Sequence, residues 1–268
     1  MSAGGGLMAG RRGLVMGVAN DKSIAWGIAQ AAAAHGAELA FTYQAESFAR
    51  RVEPLARSVG SDIALACDVA DDASIDAAFE ALAARWERLD FVVHAVAYSD
   101  KAELKGRYLE TSRANFRHTL SISCYSFTAV ARRAARMMGE GGSLVTLTYL
   151  GGERVIPNYN VMGVAKAALQ ASVRYLAADL GPQGVRVNAL SAGPMRTLAG
   201  SAIADARFVF RQSAAQAPLH RNLELDEVGA AGLYLASPLS AGVTGEILHV
   251  DAGYHATAMP PPRRVGED

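Results

Sequence analysis

Short apolar runs alternate along this chain with longer stretches of helical period. RGLVMGVA, a helical stretch from Ile24 to Gly36, and ELAFTY read as strand, helix, strand, and the unit then repeats. DIALAC, FVVHAV, SLVTLT, VRVNAL and EILHV are the further strands. The helices around and between them run Glu46 to Val59, Ala73 to Leu89, Thr111 to Met138, Asn158 to Leu180 and Leu225 to Ala236. Seven apolar strands with intervening helices predict a parallel sheet buried on both faces.

That pattern is α/β, a single doubly wound Rossmann-type domain with a seven-stranded parallel sheet and helices on both faces, spanning residues 1–268. Right-handed crossovers and a chain reversal after the third strand would open a crevice at the carboxyl ends of strands one and four. The segments that reach those ends are Gly17 to Gly27, Cys67 to Val69, His94 to Ser99, and Thr148 to Lys166.

Composition narrows the function classes. Half the residues are apolar, and Lys plus Arg and Asp plus Glu each total 26, so no net field draws nucleic acid or an anionic membrane. Cys67 and Cys124 form no CxxC or metal-ligand spacing and read as reduced core residues, which leaves no metal site in view. The start MSAGGGLMAGRR lacks the basic-then-apolar order of a signal peptide, and no run is long enough to span a bilayer, so the cytoplasm is expected. Residues 1–10 and 259–268, the latter with the triple proline of AMPPPRRVGED, read as flexible tails.

The first turn, GVANDKSIAWG, places Gly17 directly after strand one and Gly27 inside the next helix. A glycine there lets a pyrophosphate approach, and Ser23 can cap the helix and present backbone amides to the anion; an ordinary strand-to-helix turn with a serine cap reads the same way. Strand two ends in TYQAE, with Gln44 and no cation before Arg50, so a 2′-phosphate would lack a partner and NADH is expected over NADPH. After strand three, Asp68 and the Val69 backbone could meet an adenine, or Asp68 could cap the helix near Ala73.

The segment TLTYLGGERVIPNYNVMGVAKAALQ carries the chemistry. A helix beginning near Asn158 would turn ~700° over seven residues, placing Tyr159 and Lys166 on one face about 10.5 Å apart along the axis. A lysine ammonium can hydrogen-bond a nicotinamide ribose and lower the pKa of a tyrosine hydroxyl, which then donates to an oxygen gaining charge; a helical tyrosine and lysine seven apart could also be ordinary surface residues.

Strand, glycine loop and a long helix bearing Tyr and Lys resemble the short-chain dehydrogenase/reductase superfamily. Its usual Tyr-x-x-x-Lys is absent: Met162 stands four residues before Lys166, Tyr159 seven before it, and Tyr149 thirteen before Met162. That variant is characteristic of enoyl-acyl-carrier-protein reductases of the FabI type. GVANDKSIAWGIA, GAELAFTYQ, CDVADDASID, PNYNVMGVAKA, VRVNALSAGPMRTLAG and GEILHVDAGY all resemble that family.

The resemblance implies reduction of the trans-2 double bond of enoyl thioesters in fatty acid elongation. Tyr159 would hydrogen-bond the thioester carbonyl, Tyr149 would assist, and Lys166 would hold the ribose. Gly17, Ser23, Ile24, Gln44, Asp68, Val69, Val96, Met195, Arg196, Thr197, Leu198 and Ala199 would contact NADH, and the Ser99 backbone would border the acyl chain. A homotetramer and an acyl-carrier-protein partner are implied as well.

Residues 195–217 have the period of a substrate-covering lid, with Ile203, Phe208 and Phe210 able to line it, although a surface helix would also fit. Arg207 and Arg211, spaced i, i+4, could attract the acidic carrier or simply be solvated. Ala97 and Tyr98 stand where pocket width near the nicotinamide would be set. Two rivals are a 3-oxoacyl-type carbonyl reductase, opposed by Met162, and a non-catalytic dinucleotide sensor, opposed by the retention of Tyr149, Tyr159 and Lys166.

Overall fold

The computed structural model describes residues 6–195, 197 and 206–259. Seven strands, β1 (Arg12–Met16), β2 (Glu38–Tyr43), β3 (Ala64–Ala66), β4 (Phe91–His94), β5 (Gly142–Thr148), β6 (Val185–Ala192) and β7 (Ile247–Val250), form one sheet in the order β3-β2-β1-β4-β5-β6-β7. Every pairing is parallel, and Val15 of β1 lies opposite both Phe41 of β2 and Val93 of β4. The chain therefore reverses after β3, and the expected crevice lies beyond the carboxyl ends of β1 and β4.

Alternate side chains of each strand enter two separate cores. Leu14, Met16, Val92, Leu144 and Val187 face one, beneath α3 (Asp72–Ala83), α5 (Ser126–Met137) and α6 (Asn160–Leu180). Val15, Phe91, Val93, Val145 and Leu190 face the other, beneath α1 (Ile24–Ala34), α2 (Glu46–Ser58) and α8 (Leu225–Ala236). Burial on both faces is why the strands read as continuous apolar runs. α1 and α8 approach closely enough that a Cβ on Gly229 would stand 2.5 Å from the Gly27 carbonyl oxygen.

The structure departs from the sequence pattern in four places. Residues 6–10, expected to belong to a flexible tail, pack on the fold: Met8 is buried in one core and its amide donates to the His35 carbonyl at 2.9 Å, an anchor that no period reveals. The helix expected from Ala73 to Leu89 ends at Ala83, and its cap is Asp71, whose carboxylate accepts from the Ala73 amide. The helix expected from Thr111 to Met138 is α4 (Arg113–Leu120), a π turn (Ser121–Tyr125) and α5; helical propensity runs through the turn, so only its tertiary contacts reveal it. The helix expected from Asn158 begins at Asn160, because Asn158 (φ 60°) and Asn160 (φ 38°) are both left-handed. One more helix, α7 (Ala206–Gln216), lies in the expected lid. Among the described residues no helix is long and apolar enough to cross a membrane.

Candidate active site

At the end of β1 the chain turns through Gly17 at φ 95°, where a Cβ would overlap the Ala95 carbonyl beyond β4. Only glycine permits both that dihedral and that approach. Ser23 occupies the N-cap position of α1 but does not cap it, contrary to the sequence expectation. Its Oγ accepts instead from the amides of Ala19 (3.0 Å) and Asn20 (3.1 Å), which converge on it from the turn. The first turn of α1 is thus left with neither a side-chain cap nor an acid, and its amide dipoles suit an anion.

Gln44 is exposed just past β2, and the first cations after it are Arg50 and Arg51 on α2, both exposed. Of the two roles open to Asp68, capping α3 falls to Asp71; the Asp68 carboxylate accepts from Ala70 and its amide donates to Ser74 Oγ. Val69 is buried, Ile24 packs at the edge of one core, and Val96 packs at the edge of the other. Gly17, Gln44, Asp68 and Val96 therefore share one edge of the sheet, at the ends of β1, β2, β3 and β4.

Tyr149 follows β5, Tyr159 immediately precedes α6, and Lys166 is inside α6. The two tyrosine rings meet edge to face, with centroids 5.2 Å apart at 80°. Tyr159 is thus not a helical residue as expected but sits between two left-handed asparagines. Asn160 pins that corner, its Nδ2 donating to the carbonyls of Glu103 (3.3 Å), Leu104 (3.2 Å) and Gly106 (3.3 Å). Gly151 lets the Tyr159 ring lie against the loop, since a Cβ there would strike the ring.

Lys166 is 6% exposed and its Nζ donates to the Leu147 carbonyl at 2.7 Å. Burial pulls its pKa down to about 8, because its partner is a carbonyl dipole and not a carboxylate. Burial pushes both tyrosine hydroxyls above their ordinary value, Tyr149 further by Tyr254 and Asp251, and Tyr159 further by Tyr149. The expected lowering of the Tyr159 pKa by Lys166 is therefore corrected: desolvation dominates, and both phenols are neutral donors. The Tyr149 hydroxyl is buried with no hydrogen-bond partner among the described residues. A buried orphan hydroxyl with a neutral tyrosine against it suits an oxygen-bearing ligand, and the buried Lys166 ammonium lies on the helix that begins just after Tyr159.

Met162 packs among Leu104, Val161, Ala165 and Tyr159 and can donate no proton. Ser99 is buried, and its Oγ accepts from Thr119 Oγ1 at 2.9 Å and Asn115 Nδ2 at 3.3 Å, so its side chain belongs to α4. Ala97 is exposed, and the half-exposed Tyr98 ring stands edge-on to His118, with centroids 5.1 Å apart at 80°. Met195 packs at one core edge and accepts from the Thr197 amide. Arg196, Leu198, Ala199 and Ile203 lie outside the described residues. On α7, Arg207, Phe208 and Arg211 are exposed and Phe210 is half-buried.

Cys67 is buried, and burial pushes its thiol up to about 11; the described residues hold no cluster able to bind a metal ion. Sequence reasoning missed the two asparagines that fix Tyr159, although Asn-Tyr-Asn is a signal for left-handed corners. It named His94 only as the start of a segment and assigned no role to its ring, which is wholly buried at the end of β4.

Residues 17–255 match the family described as enoyl-(acyl carrier protein) reductase. The chain is 61% identical over 255 residues to a Rhizobium meliloti protein named enoyl-[acyl-carrier-protein] reductase [NADH] 2, covering 95% of each. A solved structure of the enoyl-(acyl-carrier-protein) reductase of Anaplasma phagocytophilum in complex with NAD is 56% identical, covers 96% of this chain and 98% of its own, and superposes with TM-score 0.93. The Bacillus cereus enoyl-acyl carrier protein reductase, solved with NADP+ and indole naphthyridinone, is 48% identical over 95% of this chain and 100% of its own, with TM-score 0.93.

Proposed function

The chain belongs to the enoyl-(acyl carrier protein) reductase family, and from that premise we propose that it reduces the trans-2 double bond of enoyl thioesters with NADH. The observation that carries the reading is the edge-to-face pair of neutral tyrosines at the start of the helix that buries Lys166, while Met162 fills the place of the usual tyrosine. The residues at this end of the sheet fit the cofactor. Gly17 takes the left-handed turn that brings the chain against the Ala95 carbonyl, the uncapped start of α1 suits a pyrophosphate, and the Lys166 ammonium suits a ribose hydroxyl. Ser23, Ile24, Gln44, Asp68, Val69, Val96 and the run from Met195 to Ala199 complete the proposed contacts. Gln44 can donate to a ribose hydroxyl but cannot neutralise a phosphate, which favours NADH.

When bound, the nicotinamide supplies hydride to the β-carbon of the enoyl thioester. Tyr159 hydrogen-bonds the thioester oxygen on which enolate charge develops, a hydroxyl whose pKa burial has raised keeping its proton for that bond, and a proton from solvent taken up at the α-carbon completes the saturated thioester. Tyr149 offers a second donor, and its edge-to-face contact holds the Tyr159 ring. Ser99 borders the acyl chain with its backbone, its hydroxyl being taken. An acyl-carrier protein would bring the substrate, with Arg207 and Arg211 of α7 facing it. We further read the catalytic unit as one domain acting as a cytoplasmic homotetramer.

Following NADH absorbance with crotonyl and longer enoyl thioesters against acetoacetyl thioester tests the reaction. Enoyl turnover is expected, and turnover of the keto substrate alone would identify a carbonyl reductase. Tyr159→Phe is expected to lower kcat by about 10²–10³-fold, the worth of one pre-positioned donor at an oxyanion. An unchanged kcat would move the role to Tyr149.

A further inference from the structure

The π turn between α4 and α5 is tied to three parts of the site by side chains that the proposed chemistry leaves unused. Ser123 is fully buried; the Tyr98 amide donates to its Oγ at 3.0 Å, and that Oγ donates to the Tyr98 carbonyl at 3.0 Å. Cys124 Sγ lies 3.5 Å from Ser172 Oγ on α6, the helix that carries Lys166. Ser126, just past the turn, donates to the Ile122 carbonyl at 2.6 Å and lies 2.9 Å from His94 Nε2. The other ring nitrogen, Nδ1, lies 3.2 Å from Thr146 Oγ1, which donates to the His94 carbonyl at 3.1 Å. Thr146 precedes Leu147, whose carbonyl holds Lys166. One turn thus grips both ends of the His94–Tyr98 segment, and π turns recur at functional sites.

Proton counting shows what His94 must do. Four contacts converge there: two at the ring nitrogens, and one from each hydroxyl to a carbonyl. Ser126 and Thr146 supply one proton each, and a neutral imidazole supplies one, so three protons serve four contacts. Only an imidazolium would fill all four, yet complete burial, helped by the Lys166 charge, pushes the ring pKa down to about 3. The ring is neutral, and its tautomer decides which contact goes without. A proton on Nε2 preserves the run from His94 through Ser126 to the Ile122 carbonyl, which holds the two shortest contacts, while Thr146 turns to Nδ1. A proton on Nδ1 would take Ser126 away from Ile122.

We infer that His94 is a positioning residue, held as its neutral Nε2–H tautomer, through which Ser126 and the π turn fix the Ala95–Ser99 segment against nicotinamide and acyl chain. The inference rests on the enoyl reductase reading for the identity of those ligands, but the state of His94 does not.

NMR of the ligand-free protein with ¹⁵N-labelled histidine reads that state directly, the ring being assigned by His94→Gln or, if that variant does not fold, by through-bond correlation. A single Nε2–H pattern unchanged from about pH 5 to about pH 9 is expected on the ordinary histidine scale; an Nδ1–H pattern, or titration within that range, overturns the inference. Ser126→Ala leaves Thr146 as the only ring partner. It is expected to move the proton to Nδ1 and to raise KM for an enoyl thioester about fivefold, the typical worth of one neutral hydrogen bond, with kcat within about twofold. An unmoved tautomer or an unchanged KM overturns it. Should the wild-type protein reduce no enoyl thioester, the proposed function fails while the NMR outcome still decides the state of His94.

Discussion

The two halves of the proposed site are built by opposite means. Beyond β1 to β3 the proposed site is made largely of backbone: Gly17 turns left-handed against the Ala95 carbonyl, Ser23 braces the turn, α1 offers amides, and Gln44 stands in solvent. Beyond β5, at the start of α6, it is made of buried side chains, with Lys166 at a carbonyl and the Tyr149 hydroxyl without a partner among the described residues. Backbone dipoles are paired or solvated in either state, so the nucleotide half burdens the fold little. Buried titratable groups do the reverse: their desolvation destabilises the free protein and is relieved when ligand arrives.

Lys166 should show the largest effect. Its folded pKa of about 8 lies below the ordinary 10.5. Below pH 8 native and unfolded chains both hold the proton and the fold carries the whole penalty, roughly 3 kcal/mol for such a shift. Between the two values the unfolded chain holds more protons, so stability rises with pH, and above the upper value the penalty is gone. Lys166→Met is therefore expected to stabilise the ligand-free protein at neutral pH by roughly 1–3 kcal/mol in urea denaturation, the orphaned Leu147 carbonyl offsetting part of the gain. The same variant should lose NADH affinity. A less stable variant would break the contrast between the halves.

Gly17→Ala probes the other side. A left-handed alanine pressed on the Ala95 carbonyl should weaken NADH binding by about 10-fold or more in fluorescence titration, with roughly 1–3 kcal/mol of lost stability. Gln44→Arg sharpens the contrast further: a cation at the solvent edge should raise the ratio of NADPH to NADH kcat/KM by about 10-fold, one charge-assisted hydrogen bond. The smallest effect belongs to Arg207→Ala/Arg211→Ala. KM for carrier-linked substrate should rise only a few-fold, fading as salt is added, since exposed charges contribute little. An unchanged KM at low salt would remove α7 as the carrier contact.

The alternation of apolar runs and helical stretches sufficed for the seven parallel strands and the chain reversal after the third, because strand burial and helix period are written in local composition. Leu225–Ala236 and Glu38–Tyr43 match the pattern residue for residue. The corner that carries Tyr159, the π turn at Ser121–Tyr125 and the capping of α3 by Asp71 do not show in any period, since each depends on partners distant in sequence or on which of several nearby polar groups wins an amide. Nor could the chain alone give the sign of the tyrosine shift: a lysine seven residues away suggested a lowered pKa, and only the packing around both rings decided that desolvation prevails. Sequence determined which chemical groups meet; tertiary burial decided their protonation and hence what each can donate.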